Sequence, residues 1–171
     1  MQINYNDKEY FINSKKGIDL SIRNKFSSSG PVFYNSSHPS KTPLTDKQFI
    51  GDVNSGGSCN ASIVSLNIHC TGTHTECEGH INNSNVEIVD VCPLGFTPTL
   101  LISVEPEIIN HTDESYHVQC DGDYVITKKS IQEKVQQFHS GLIIRTIPNQ
   151  ESKIIRNYDK VRAPFLTNQA I

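Results

Sequence analysis

Between His69 and His80 the chain reads His69-Cys70-Thr71-Gly72-Thr73-His74-Thr75-Glu76-Cys77-Glu78-Gly79-His80, which puts three imidazoles, two thiols and two carboxylates into twelve positions. Neutral imidazole, thiolate and carboxylate each offer a lone pair to a divalent ion at about 2.0 to 2.3 Å, so the chemistry these types share is metal binding. Crowding so many ionisable groups together without a metal or a partner is costly. In an extended stretch His74 and Glu76 point to the same side, and a turn at Gly72 brings Cys70 or His69 round to join them. His80, beyond Gly79, is placed to act as a general base towards water activated by the ion. Cys77, a small apolar thiol, suits a packing position instead.

A second kind of chemistry is open to the cysteines. Cys59 lies in a Gly56-Gly57-Ser58-Cys59 loop and Cys70 lies within reach of a partnership with His80, so either is a candidate nucleophile. A turn residue beside a pocket is the simpler role for Cys59. The five cysteines are odd in number and form no compact framework, which favours reduced thiols. Cys92, Cys120 and the remaining histidines read as structural or surface residues.

The elements that must position the cluster are strand-rich. Ile63 to Ile68 reads as a strand leading directly into it, with Val64, Leu66 and Ile68 spaced by two. Upstream, Ile18, Leu20 and Ile22 alternate with polar residues and predict a strand over Gly17 to Ile22, after a polar lead-in. Ser27 to Lys47, rich in Ser, Pro, Gly and Asn, reads as a long loop of the sort that often carries function, followed by Phe49 to Val53. Downstream, Val86 to Val91, Thr99 to Val104 and Tyr124 to Ile126 read as strands. A helix follows, with Thr127 as N-cap, Ile131, Val135 and Phe138 on one face, and Gly141 as its stop. Leu142 to Ile147 has the β-branched character of a buried strand, so residues 124 to 147 show a β-α-β pattern compatible with parallel pairing. The expected class is α/β in the sense of mixed α and β, strand-rich, in a single domain covering residues 1 to 171.

Composition narrows the function. A chain of 171 residues with 36% hydrophobic and 19% charged residues should bury a core and fold as one globular domain. A net charge of -3, with no Lys/Arg stripe interleaved with aromatics, argues against nucleic acid as a partner. No basic region precedes an apolar run at the N-terminus, and no segment approaches the roughly 18 apolar residues of a membrane span, so a cytoplasmic protein without a membrane partner is expected.

The stretch from Gly72 to His80 resembles the signature HxGTHxDxPxH of the cyclase family of metal-dependent hydrolases, which includes kynurenine formamidase. Gly51-Asp52 with Gly56-Gly57-Ser58-Cys59-Asn60 resembles the approach to that motif in one branch, Asp19-Leu20-Ser21 the family's opening strand, and Leu142 to Pro148 its Arg-Thr strand. The resemblance implies a swivelling β/β/α fold and a hydrolase that uses Zn²⁺ or Mn²⁺ to activate water against an amide, lactam or ester, assembled as a homo-oligomer. Carried over by position, it implies Cys70, His74 and Glu76 as metal ligands and His80 as the acid/base. Glu76 stands where the family has Asp, Glu78 where it has Pro, and Cys70 where it has His. A thiolate there would favour Zn²⁺ over Mn²⁺, and His69 is the alternative first ligand through a one-residue bulge. The family pattern continues past the equivalent of Phe165 with a further His and Glu, so the chain is expected to lack the C-terminal part of the family domain. The competing expectation is a non-catalytic metal- or ligand-binding relative with an incomplete site.

Overall fold

The computed structural model describes every residue except Ser28, Gln119 and Phe138. In chain order its strands and helices are β1 (Gln2–Tyr5), β2 (Lys8–Phe11), β3 (Ser40–Pro43), β4 (Thr45–Asp46), β5 (Phe49–Ile50), β6 (Ser62–Ser65), α1 (Ile88–Val91), β7 (Thr99–Val104), β8 (Glu107–Ile108), β9 (Tyr124–Ile126), α2 (Lys128–Gln132), β10 (Gly141–Thr146) and β11 (Phe165–Leu166). The class is mixed α and β with more strand than helix. The chain forms two compact units. The first holds Met1–Leu20, Glu76–Gln150 and Ala163–Ile171, and the second holds Ser21–Thr75 and Glu151–Arg162. No helix among the described residues is long and apolar enough to cross a membrane.

The core of the first unit is built on β7 and β10, which pair in parallel with Ile102 opposite Ile144. Alternation along β7 sends Leu100, Ile102 and Val104 to one face, where Ile126, Ile131, Val135 and Ile144 pack against them. Val104 is fully buried. Thr127 caps α2 as the sequence predicts, its hydroxyl accepting the Ser130 N–H at 3.2 Å. The helix ends at Gln132, well before Gly141. Short helices depend on tertiary packing, and after Ile131 only Val135 reaches the core cluster before the polar residues Gln136 and Gln137. Phe138, expected on the same face, lies outside the described residues.

The expected β-α-β unit forms with a different first strand. The parallel partner of β10 is β7, whereas β9 pairs antiparallel with β8 and parallel with β11. Val125, at the centre of that three-stranded sheet, is fully buried. Glu114 ties the sheet's surroundings together, with one carboxylate oxygen accepting both the Lys128 N–H at 2.8 Å and the hydroxyl of buried Thr167 at 2.6 Å.

Several segments depart from the sequence reading; the strand expected over Ile63 to Ile68 is β6, Ser62–Ser65, and ends before the cluster begins. Residues 17–22 form no strand, and Ile18 and Leu20 remain exposed, because alternation specifies a strand only where another strand supplies the hydrogen bonds. Val86 to Val91 contains the helix α1 instead of a strand; the Glu87 N–H donates to the Asp90 carboxylate at 3.3 Å and so closes a helical first turn. The polar opening is in fact a hairpin of β1 and β2, turned by Asn6 and Asp7 at φ 49° and 57°. Asn and Asp tolerate the left-handed conformation that such two-residue turns require.

In the second unit, β3 and β6 pair antiparallel, as do β4 and β5, so strands occupy the end of the stretch read as loop from Ser27 to Lys47. Within it, Gly51 donates to Leu44 and accepts from Ala61, closing the two hairpins on each other.

Desolvation pushes the Glu114 carboxyl up, but the Thr167 hydroxyl, the Lys128 and Lys129 N–H groups and the Lys128 charge outweigh it and hold the pKa below its ordinary 4.5. A carboxylate with a depressed folded-state pKa stabilises above its unfolded pKa, and that contribution is lost as pH falls through the folded value. Glu114→Gln should therefore lower unfolding free energy at neutral pH, by less than about 1 kcal/mol because solvent screens so open a site. The deficit should shrink as pH drops below 4.5, measured by urea unfolding at both pH values.

Candidate metal centre

The segment after β6 is shaped by side-chain hydrogen bonds. The Asn67 carboxamide oxygen accepts the His69 N–H at 3.1 Å, and the Asn67 carbonyl accepts the Thr71 hydroxyl at 2.9 Å, which folds residues 67–71 into a tight turn. Asn24 then fixes the turn from outside. Its side-chain oxygen accepts the Gly72 N–H at 2.8 Å and, 2.7 Å from the Thr71 hydroxyl, shares that group's single hydrogen with the Asn67 carbonyl. Thr73 completes the attachment, its hydroxyl accepting from Ile22 N–H at 2.7 Å and its own N–H donating to the Ile22 carbonyl at 2.8 Å. Backbones approach so closely here that a Cβ on Gly72 would meet the Ile22 carbonyl oxygen at 2.4 Å.

This turn brings His69 and His74 edge to face, with ring centroids 5.4 Å apart at 88°. One ligand atom from each of His69, His74 and Glu76 lies within 4.8 Å of the others, and theirs is the sole such group among the described residues. The group belongs to one short stretch of chain. His74 Nδ1 lies 3.1 Å from the Gly72 carbonyl oxygen. Donation from Nδ1 to that carbonyl fixes the tautomer that leaves Nε2 as a lone-pair donor.

Of the two candidates for first ligand, His69 is the one brought to His74 and Glu76. Cys70 is buried, its side chain is outside the group, and its carbonyl accepts the Phe33 N–H at 3.1 Å. Its part here is in holding the turn. His80 ends a 3-10 turn over Glu78–His80, and its Nε2 lies 3.9 Å from Glu76 Oε1. Both side chains are partly open to solvent. Glu78 is exposed and outside the group, and Cys77 donates its thiol hydrogen to the Val86 carbonyl at 3.3 Å, in keeping with a packing role.

The remaining thiols stand apart from this chemistry. All five cysteines are unpaired, with Cys59, Cys92 and Cys120 exposed. The loop preceding Cys59 is organised by Asp52, which accepts the Ser55 hydroxyl at 2.6 Å and the Asn54 N–H at 2.9 Å. The Ser55 bond first and the Asn54 bond second hold the Asp52 carboxyl below its ordinary range.

Beside His74 the second unit contains a cavity of about 250 Å³ whose walls include Ile22, Pro31, Phe33 and Tyr158. The rings of Phe33 and Tyr158 stack at 4.2 Å, nearly parallel at 5°. Sequence reasoning missed both. They are 125 positions apart and meet because Val32 donates to Arg156 and Tyr158 donates to Val32, a pairing that no local pattern announces. Comparison with protein-family models, curated proteins and solved structures returned no match.

Gly72→Ala should force the turn away from Ile22 and Asn24. The expected result is a loss of about 1 to 3 kcal/mol of unfolding free energy together with weaker zinc binding, read by chemical denaturation and by competition with a chromogenic chelator.

Proposed function

We propose that this chain is a metal-dependent hydrolase of the kynurenine formamidase-like cyclase family, with the swivelling β/β/α fold, cleaving a carbon-nitrogen or ester bond in a small amide, lactam or ester. The observation that carries the reading is the convergence of His69, His74 and Glu76 from a segment already similar to the family signature. The donor set of two imidazoles and a carboxylate suits Zn²⁺ and also accepts Mn²⁺. A bound ion would polarise the scissile carbonyl and make water nucleophilic near neutral pH.

The protein's own groups account for the rest. His69, His74 and Glu76 hold the ion, and the Gly72 carbonyl orients the His74 ring. His80, adjacent to Glu76, takes a proton from the attacking water and returns one to the leaving nitrogen or oxygen. The cavity beside His74, walled by Phe33 and Tyr158, receives an apolar part of the substrate and shields it from water. Homo-oligomer formation belongs to the same reading, and exposed Leu101 and Ile143 on paired strands β7 and β10 offer apolar surface for it. The unpaired cysteines accord with a reducing, cytoplasmic setting.

Elemental analysis of the purified protein tests the centre. Stoichiometric zinc or manganese should be present in the wild type and in Cys70→Ser, and lost in His69→Ala and His74→Ala. Retention in both histidine variants would remove the ion from this segment. With metal bound, turnover of a small amide panel should fall by about 10² to 10⁴ in His80→Ala while metal content is unchanged. A metal-loaded protein that turns over no amide, lactam or ester would instead be a binding protein with an incomplete site.

A further inference from the structure

The first unit contains a cavity of about 320 Å³ lined by none of the residues assigned above. Its walls include Ile3, Tyr5, Tyr10 and Phe11 of the N-terminal hairpin, Pro98, and His139. Register explains the hairpin's contribution. Ile3 stands directly opposite Tyr10, and Tyr5, two residues from Ile3, projects from the same face. The Tyr5 ring stacks with the His139 ring at a centroid separation of 6.4 Å and 30°.

The cavity opens to solvent, with Phe11 and Tyr10 on its rim 78% and 44% exposed, so its walls present apolar surface that a ligand would cover. The cavity's volume lies at the lower end of the roughly 300 to 1,000 Å³ that small-molecule pockets span. The walls are mostly hydrocarbon and aromatic, with Tyr5, Tyr10 and His139 supplying the polar groups, and the Thr99 hydroxyl at the margin already donates to the Thr97 carbonyl at 2.8 Å. Among the described residues lining the cavity there is no Asp, Glu, Lys or Arg, so a charged ligand would leave its solvation without compensation. The volume, the aromatic walls and the lack of charge select one chemical class.

We propose that this cavity is a binding site for a neutral, planar aromatic small molecule of one or two fused rings, held in contact with Tyr5, Tyr10 and His139. The site is independent of the metal centre and stands whether or not the chain is a hydrolase. Indole is a suitable probe, with saturation-transfer NMR as the readout. The wild type should transfer saturation to indole, and indole-3-acetate, the same ring system with a carboxylate, should bind about tenfold more weakly. Ile3→Trp fills the cavity and should abolish the signal. His139→Ala removes a stacking partner without touching the hairpin and should weaken binding by about three- to tenfold. Absence of transfer in the wild type, equal binding of indole and its acetate, or unchanged binding in His139→Ala would each overturn the proposal. If Ile3→Trp unfolds the hairpin, His139→Ala still decides.

Discussion

The geometry at the candidate metal centre depends on a single side-chain carbonyl. Asn24 accepts from both the Thr71 hydroxyl and the Gly72 N–H, and so holds the turn that presents His69 and His74. Neither histidine lies in a helix or strand, so no regular hydrogen-bond ladder fixes it. Accepted bonds of this kind satisfy backbone and hydroxyl donors that irregular structure would otherwise leave to solvent, and they tie the segment to a part of the chain some 48 positions away in sequence. Gly72 is the complementary requirement, because only a residue without a side chain permits the approach to Ile22 that Thr73 then locks with two bonds.

The first unit uses the same device on a carboxylate. Glu114 joins the N–H at the start of α2 to the hydroxyl of Thr167, while Asn168 donates to the Ser115 carbonyl and Ser115 to the Gln169 side chain. Here the bonds anchor a short terminal strand to a packed core, whereas around Asn24 they stand in for one. Apolar burial supports the first arrangement through Val104, Val125 and Ile126; in the second unit Val32 and Cys70 are buried together with Pro31 and Pro39, and polar contacts carry more of the structure.

What the sequence disclosed follows from this division. β7, β9 and the N-terminus of α2 were legible because their signals are local: β-branched alternation for the strands and a threonine cap followed by an apolar spacing for the helix. The pairing of β10 with β7 was not, since a parallel partner depends on contacts between residues about 42 positions apart, as with Ile102 and Ile144. The residue types of the cluster were legible from density alone, whereas which of His69 and Cys70 lies beside His74 and Glu76 depends on how the Asn67 turn is wound. Phe33 and Tyr158 were invisible for the same reason as β10: the bonds that unite them carry no periodic trace. The strand expected at residues 17–22 shows the converse, a periodic pattern that finds no partner strand.

The return of Glu151–Arg162 to the second unit, before the chain goes back to the first at Ala163, sets an order on how the protein can be completed during synthesis. His69, His74 and Glu76 emerge from the ribosome together, with the Asn24 and Asn67 side chains that shape their turn already made. The Tyr158 ring that walls the neighbouring cavity follows more than 80 residues later. A nascent chain can therefore present this group of two histidines and a glutamate well before it can present a finished pocket, and neither unit corresponds to an uninterrupted stretch that could be excised and studied alone.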